Sequence, residues 1–210
     1  GDIGQIDKIM EVCRRHNAML LVDEAHSTGV LGPQGRGAVA HFGLDHEPDL
    51  LIVGTLSKSL GACGGFVGGK ATYVNHLRYF ARSGMFSTAQ SPMVMAAANA
   101  AVDVILDEPQ LRERLWENVR FMHGELKRLG FVIGECASPI IPVILGSMTA
   151  LRQMTLELHS RNLCVNSVPF PAVPHGSERL RISLTANHTI EQLEQAIEII
   201  QDSARHAGVL

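Results

Sequence analysis

Paired cysteines, a block of one charge, a membrane-length apolar run and internal repeats are all missing from this sequence. The four cysteines, Cys13, Cys63, Cys136 and Cys164, are widely spaced and form no CxxC pair. That spacing argues against a zinc site or a disulfide framework and fits a reducing compartment. With 18 Lys and Arg against 21 Asp and Glu, the net charge is −3 and no basic patch forms. Nothing therefore recommends nucleic acid or an anionic membrane as a partner. No run is long and apolar enough to span a bilayer, and the first residues lack a signal-peptide pattern, so the expected setting is cytoplasmic. What remains is 210 residues, 46% hydrophobic and 19% charged, the composition of a globular chain with a real core.

The stretch around which the chain is organised is DLLIVGTLSKSLGACGGFVGG, residues 49–69. Its first six residues form a short apolar run, the pattern of a strand in a parallel α/β sheet. Thr55, Ser57 and Lys58 follow where such strands end, which is where these sheets bind ligands. Glycines at 61, 64, 65, 68 and 69 permit tight turns and close backbone approach. A second apolar run, residues 19–22, ends in Asp23-Glu-Ala-His26. A carboxylate, an imidazole, hydroxyls and one lysine at neighbouring strand ends are the groups that pyridoxal 5'-phosphate requires. Each residue has a plainer reading alone: Lys58 as a solvated lysine, His26 as a histidine satisfied by backbone, Asp23 as an ordinary strand-end acid. Glu24 reads as structural, bonding the sheet edge or a neighbouring loop.

In chain order, Ile3, Ile6, Ile9, Met10 and Cys13 predict a helix over residues 1–16, and a loop follows over 29–43. Residues 71–81 predict a helix. Ser87 and Thr88 precede an apolar segment, 92–106, that predicts a helix buried nearly all round, with Met93 and Met95 in the core. Ser and Thr in that place commonly cap a helix. Asp107-Glu-Pro109 starts a long helix with a stripe of Leu111, Leu115, Val119, Met122, Leu126 and Leu129. Strands are predicted at 131–134, 140–145, 163–166 and 180–184, with helices at 149–161 and 190–204. Thr189 and Gln192 form a capping box for the last helix. Alternation in Arg179-Leu-Arg181-Ile-Ser183 puts the arginines and the serine on one face.

The segments DEAHSTGVLGPQGRG, GTLSKSLGACGG, MFSTAQSP, SPIIPVILG and PFPAVPHGSERLRISLTANHT resemble the α-oxoamine synthases, which are fold-type-I pyridoxal-phosphate enzymes. The resemblance runs through the chain in the family's order. It implies an α/β fold, part of a large, mostly parallel-sheet domain followed by a small α+β domain; the sequence pattern alone sets the bounds, the large domain over 1–107, a connecting helix over 108–130 and the small domain over 131–210. It also implies a first half that is not in this sequence. The activity implied is condensation of a small amino acid with an acyl-CoA thioester, usually decarboxylative, to an α-amino ketone. Lys58 would hold the cofactor as a Schiff base and act as base, Asp23 would pair with the ring nitrogen, and His26 would bond the phenolic oxygen. Thr55 and Ser57 would contact the phosphate, and Ser87 or Thr88 would reach it across a two-fold axis from the partner of a homodimer. Arg181 would clamp the amino-acid carboxylate.

Pro169 stands where the oxononanoate synthases place an arginine, which counts against the biotin-pathway branch. The alternatives are an incomplete or scaffold subunit and another fold-type-I reaction such as aminotransfer or aldol cleavage. Asp-Glu-Ala-His also spells the box of nucleic-acid-dependent ATPases. Ala71 after Gly69-Lys70 lacks the hydroxyl that a P-loop needs, and the order of the two motifs is reversed.

Overall fold

Ile6, Met10 and Cys13 share one face of α1 (Ile6–Arg15), and that face is buried with residues of β1 (Leu20–Asp23) and β2 (Leu50–Thr55). The computed structural model describes residues 1–210, which divide into two compact units: Gly4–Arg112, and Glu113–Leu210 together with Gly1–Ile3. α1 begins five residues later than its periodicity predicts. Gly1 and Gly4 disfavour helix, and no side chain caps the start.

In the first unit β1 and β2 run parallel, with Asp23 opposite Val53, and β3 (Gly65–Gly69) pairs antiparallel with β2. Three glycines make β3 illegible as a strand from propensity, so it is the pairing with β2 that draws it into the sheet. Successive residues alternate between faces. Leu20, Val22, Leu50 and Ile52 therefore point into the core with α1 and α2 (Ala38–His41). Asp23, Val53 and Thr55 share the opposite face, where Leu21 and Val67 stand exposed.

Beyond the sheet lie α3 (Ala71–Phe80), α4 (Arg82–Met85) and α5 (Pro92–Asp107). The cap of α5 is Ser91, whose hydroxyl accepts from the Val94 amide at 3.4 Å. Ser87 and Thr88 therefore do not cap it: Pro92 at the first helical position places the start after Ser91. Nor is α5 buried all round. Ala98, Ala101 and Ile105 pack with Leu56 and Leu60, whereas Met93 is 80% and Met95 48% exposed. The methionines are surface residues here, because only one side of this apolar helix is covered.

In the second unit α6 (Pro109–Arg128) precedes an antiparallel sheet in the order β4 (Val132–Ile133), β5 (Ile140–Ile144), β7 (Arg179–Ser183), β6 (Asn166–Val168). The division between the units falls in the first turns of α6. Ile141, Val143, Leu180 and Ile182 line one sheet face and bury against α6, α7 (Met148–Ser160) and α8 (Ile190–His206). Arg179, Arg181 and Ser183 stand on the other face, as the alternation predicts. β6 starts three residues later than expected, since Leu163 and Val165 turn into the core instead and pairing with β7 begins only at Asn166. The Thr189–Gln192 capping box is present.

Candidate active site

β1 ends at Asp23 and β2 at Thr55, side by side at the carboxyl edge of the parallel pair. Because Asp23 and Val53 are register partners, Asp23 and Thr55 project from the same face. After Asp23 the chain turns tightly: Asp23 Oδ1 accepts from the Ala25 amide at 2.8 Å, and the Ser27 and Thr28 amides return to the Glu24 carbonyl at 3.1 and 3.0 Å. His26 is thus exposed on a closed turn directly past the strand.

Glu24 is the pin of that turn, buried to 1% exposure. Its carboxylate accepts from the Ala38 and Val39 amides, both at 2.7 Å, and from the Ser27 hydroxyl. Those amides open α2, where helical N–H groups have no partner of their own. This explains the helix found where a loop was predicted. Gly37 lies against the same carboxylate, and a Cβ there would strike it.

After Thr55 the chain forms a second turn, closed by Leu56 N to Gly64 O at 2.9 Å, Ala62 N to Leu56 O at 2.7 Å and Gly61 N to Lys58 O at 3.0 Å. Leu56 and Leu60 are buried against α5 on either side of Lys58, which is exposed. The core thus grips the turn and leaves the amine to solvent. The Thr55 and Ser57 hydroxyls lie 2.8 Å apart, and the Ser57 amide donates to Thr55 Oγ1 at 3.2 Å. Ser59 Oγ donates to the Thr28 carbonyl at 2.7 Å, joining the two turns.

Asp23, His26, Thr55, Ser57 and Lys58 are therefore brought to one sheet edge. Ser87 and Thr88 are exposed in the stretch before α5. That stretch runs past the glycine turn, since a Cβ at Gly64 would lie 2.5 Å from Gln90 Nε2. Arg181 belongs to the second unit, on an interior strand between Pro142 of β5 and Asn166 of β6. Reading the sequence missed two elements of this site: the Ser59 bond and the amides that Glu24 holds. Both contacts join residues far apart in the chain, and only the reading of Glu24 as structural, bonding the sheet edge or a neighbouring loop, hinted at the second.

A lysine, an acid, an imidazole and two hydroxyls beside a glycine turn, at the carboxyl end of paired parallel strands, define a cofactor-binding α/β site. The chain belongs to the aminotransferase class I and II family, which it matches over residues 2–200. Among curated relatives, 8-amino-7-oxononanoate synthase 1 of Bacillus subtilis (strain 168) is 39% identical over 210 residues, all of this chain and 53% of its own length. The 8-amino-7-oxononanoate synthase of Symbiobacterium thermophilum is 40% identical over the same 210 residues, again 53% of its length. Among solved structures, serine palmitoyltransferase from S. paucimobilis with a bound PLP–myriocin aldimine matches at a TM-score of 0.93 and 37% identity, over 100% of this chain and 53% of that one. 8-Amino-7-oxononanoate synthase from Francisella tularensis matches at 0.84 and 30% identity, over 98% of this chain and 60% of that one.

Relatives and structural neighbours alike are α-oxoamine synthases, as the motif resemblance implies, and the fold is the fold-type-I α/β architecture. Pro169 lies just past β6, and these two curated relatives, 8-amino-7-oxononanoate synthases, match along the full chain. The chain spans about half the length of the curated relatives it matches. No helix is long and apolar enough to cross a membrane.

Proposed function

We propose that this chain supplies the lysine-bearing part of a pyridoxal-phosphate-dependent acyltransferase that condenses a small amino acid with an acyl-CoA thioester. The observation that carries this reading is the meeting of the Asp23–His26 turn and the Thr55–Lys58 turn at one sheet edge. The residues fit the cofactor. Asp23 and Thr55 project from one face, Lys58 is exposed just past them, the hydroxyl pair adjoins a glycine turn, buried leucines hold the lysine turn and Glu24 holds the other. Bound pyridoxal phosphate supplies an electron sink for the carbanion at the amino acid's Cα.

The residues divide the remaining work. Lys58 would hold the cofactor, and its free Nζ would take the Cα proton of the amino acid. Asp23 keeps the ring nitrogen protonated, while His26 bonds the phenolic oxygen. Thr55 and Ser57 donate to the phosphate, joined by Ser87 or Thr88 from the second copy of a homodimer. Arg181 presents a planar fork to the amino acid's carboxylate, a geometry that ammonium lacks. The relatives' names include serine and a palmitoyl group; for this chain the amino acid is a small one and the acyl length open. The four free cysteines accord with a cytoplasmic setting.

A second reading, a catalytically incomplete chain that needs further polypeptide to assemble its cofactor pocket, is favoured by the open sheet face carrying Leu21 and Val67. One experiment addresses both readings: titrate residues 1–210 and the full-length enzyme with pyridoxal phosphate, each beside Lys58→Ala, and follow visible absorbance. A band present in the full-length protein and abolished by Lys58→Ala is the expected result. Its absence from residues 1–210 alone selects the second reading. A band that survives Lys58→Ala overturns the assignment of the lysine.

A further inference from the structure

Ser59 follows Lys58 directly, and its hydroxyl donates to a carbonyl 31 residues earlier, that of Thr28, at 2.7 Å. Each end of this bond is already rigid. Thr28 bonds the Glu24 carbonyl through both its amide and its hydroxyl, each at 3.0 Å, and Glu24 is in turn fixed by α2. On the other side, Leu56 and Leu60 anchor the lysine turn in the core. Gly29 permits the contact: its φ is +80°, and a Cβ there would lie 2.7 Å from Ser59 Cβ and 3.2 Å from Ile105 Cδ1. A residue with a side chain at 29 would push the two turns apart.

We infer that Ser59 is a positioning residue: its bond to Thr28 sets where the Lys58 amine stands relative to Asp23 and His26. The inference rests on the proposed role of Lys58. The leucine anchors fix the turn against α5 but not against the Asp23–His26 turn, and Ser59 supplies that second constraint. An exposed hydrogen bond adds little to global stability. Displacing a reacting group by about 1 Å can nevertheless lower a rate by as much as about 100-fold. Stability and chemistry should therefore separate in variants of this residue.

The test compares wild type, Ser59→Ala, Ser59→Cys and Lys58→Ala in the full-length enzyme loaded with pyridoxal phosphate. Four quantities are read: the melting midpoint, the pH midpoint of the visible cofactor band, kcat with the amino-acid KM, and amide exchange at residues 29–31 in cofactor-free protein. Ser59→Ala is expected to melt close to wild type and to shift the pH midpoint of the band. Its kcat should fall about tenfold, while KM changes less than about twofold. Exchange at 29–31 should quicken, and Ser59→Cys, with a weaker donor, should fall between. An unchanged band midpoint together with an unchanged kcat overturns the inference and leaves the lysine's role intact. So does a kcat that falls only in proportion to folded protein. If Ser59→Ala does not fold, Ser59→Cys carries the same comparison. If wild type has no band that Lys58→Ala removes, it is the underlying reading that fails.

Discussion

Glu24 sits beside Asp23 in sequence and does the opposite job. Asp23 is exposed at the sheet edge, whereas Glu24 is buried and spends its charge on two amides and a hydroxyl of its own unit. Glu24→Gln replaces one acceptor oxygen by a donor that then faces an N–H. It should cost about 1–3 kcal/mol, seen as a lower urea midpoint for unfolding of the first unit. A midpoint equal to wild type would show that the turn does not depend on the carboxylate. Sequence marked Glu24 as structural but not its partners, because Ala38 and Val39 lie 14 and 15 residues away and carry no side-chain signal. The placement of Asp23 at the end of β1 and of Lys58 just past β2 was legible for the opposite reason: abrupt polar residues ending apolar runs are visible locally.

At the scale of elements, periodicity and caps read well. α6, α7 and α8 lie close to their expected bounds, and the capping box is formed. Elements defined by a distant partner read poorly. β3 is a strand only because β2 lies beside it, and the one-sided burial of α5 depends on what surrounds it rather than on its composition. α3 shows how such a partner works. Tyr73 on α3 donates to Asp49 Oδ1, at the start of β2, at 2.6 Å, and this bond to a carboxylate holds the phenol above its ordinary pKa. A group raised in the folded state stabilises it below the unfolded pKa and loses that contribution as pH climbs through the folded value. Wild type should therefore exceed Tyr73→Phe in urea midpoint at neutral pH, and the two should converge above the normal tyrosine range. A gap that persists in alkali would assign the difference to packing instead.

Across the whole molecule, the two units have separate cores, and Trp116, the single tryptophan, packs against the core of the second. Its fluorescence therefore reports that unit alone, whereas circular dichroism reports both. Met154 on α7 is fully buried in the same core. Met154→Ala should lower the stability of that unit by about 2–5 kcal/mol. The whole fluorescence transition should move to lower urea, but only part of the dichroism transition. A dichroism curve that shifts as one would mean that the units unfold together. The fold class and the family were legible from sequence at this scale because motifs spread along the entire chain agree with one another.

β7 divides its labour by parity. Leu180 and Ile182 carry the core, while Arg179, Arg181 and Ser183 face away from it. Substitution of the exposed Ser183 should thus cost folding little, that of the half-buried Arg179 and Arg181 more, and that of the buried Leu180 and Ile182 most. A strand built this way is evolvable: selection can retune what the outward face recognises while the scaffold beneath it is inherited unchanged.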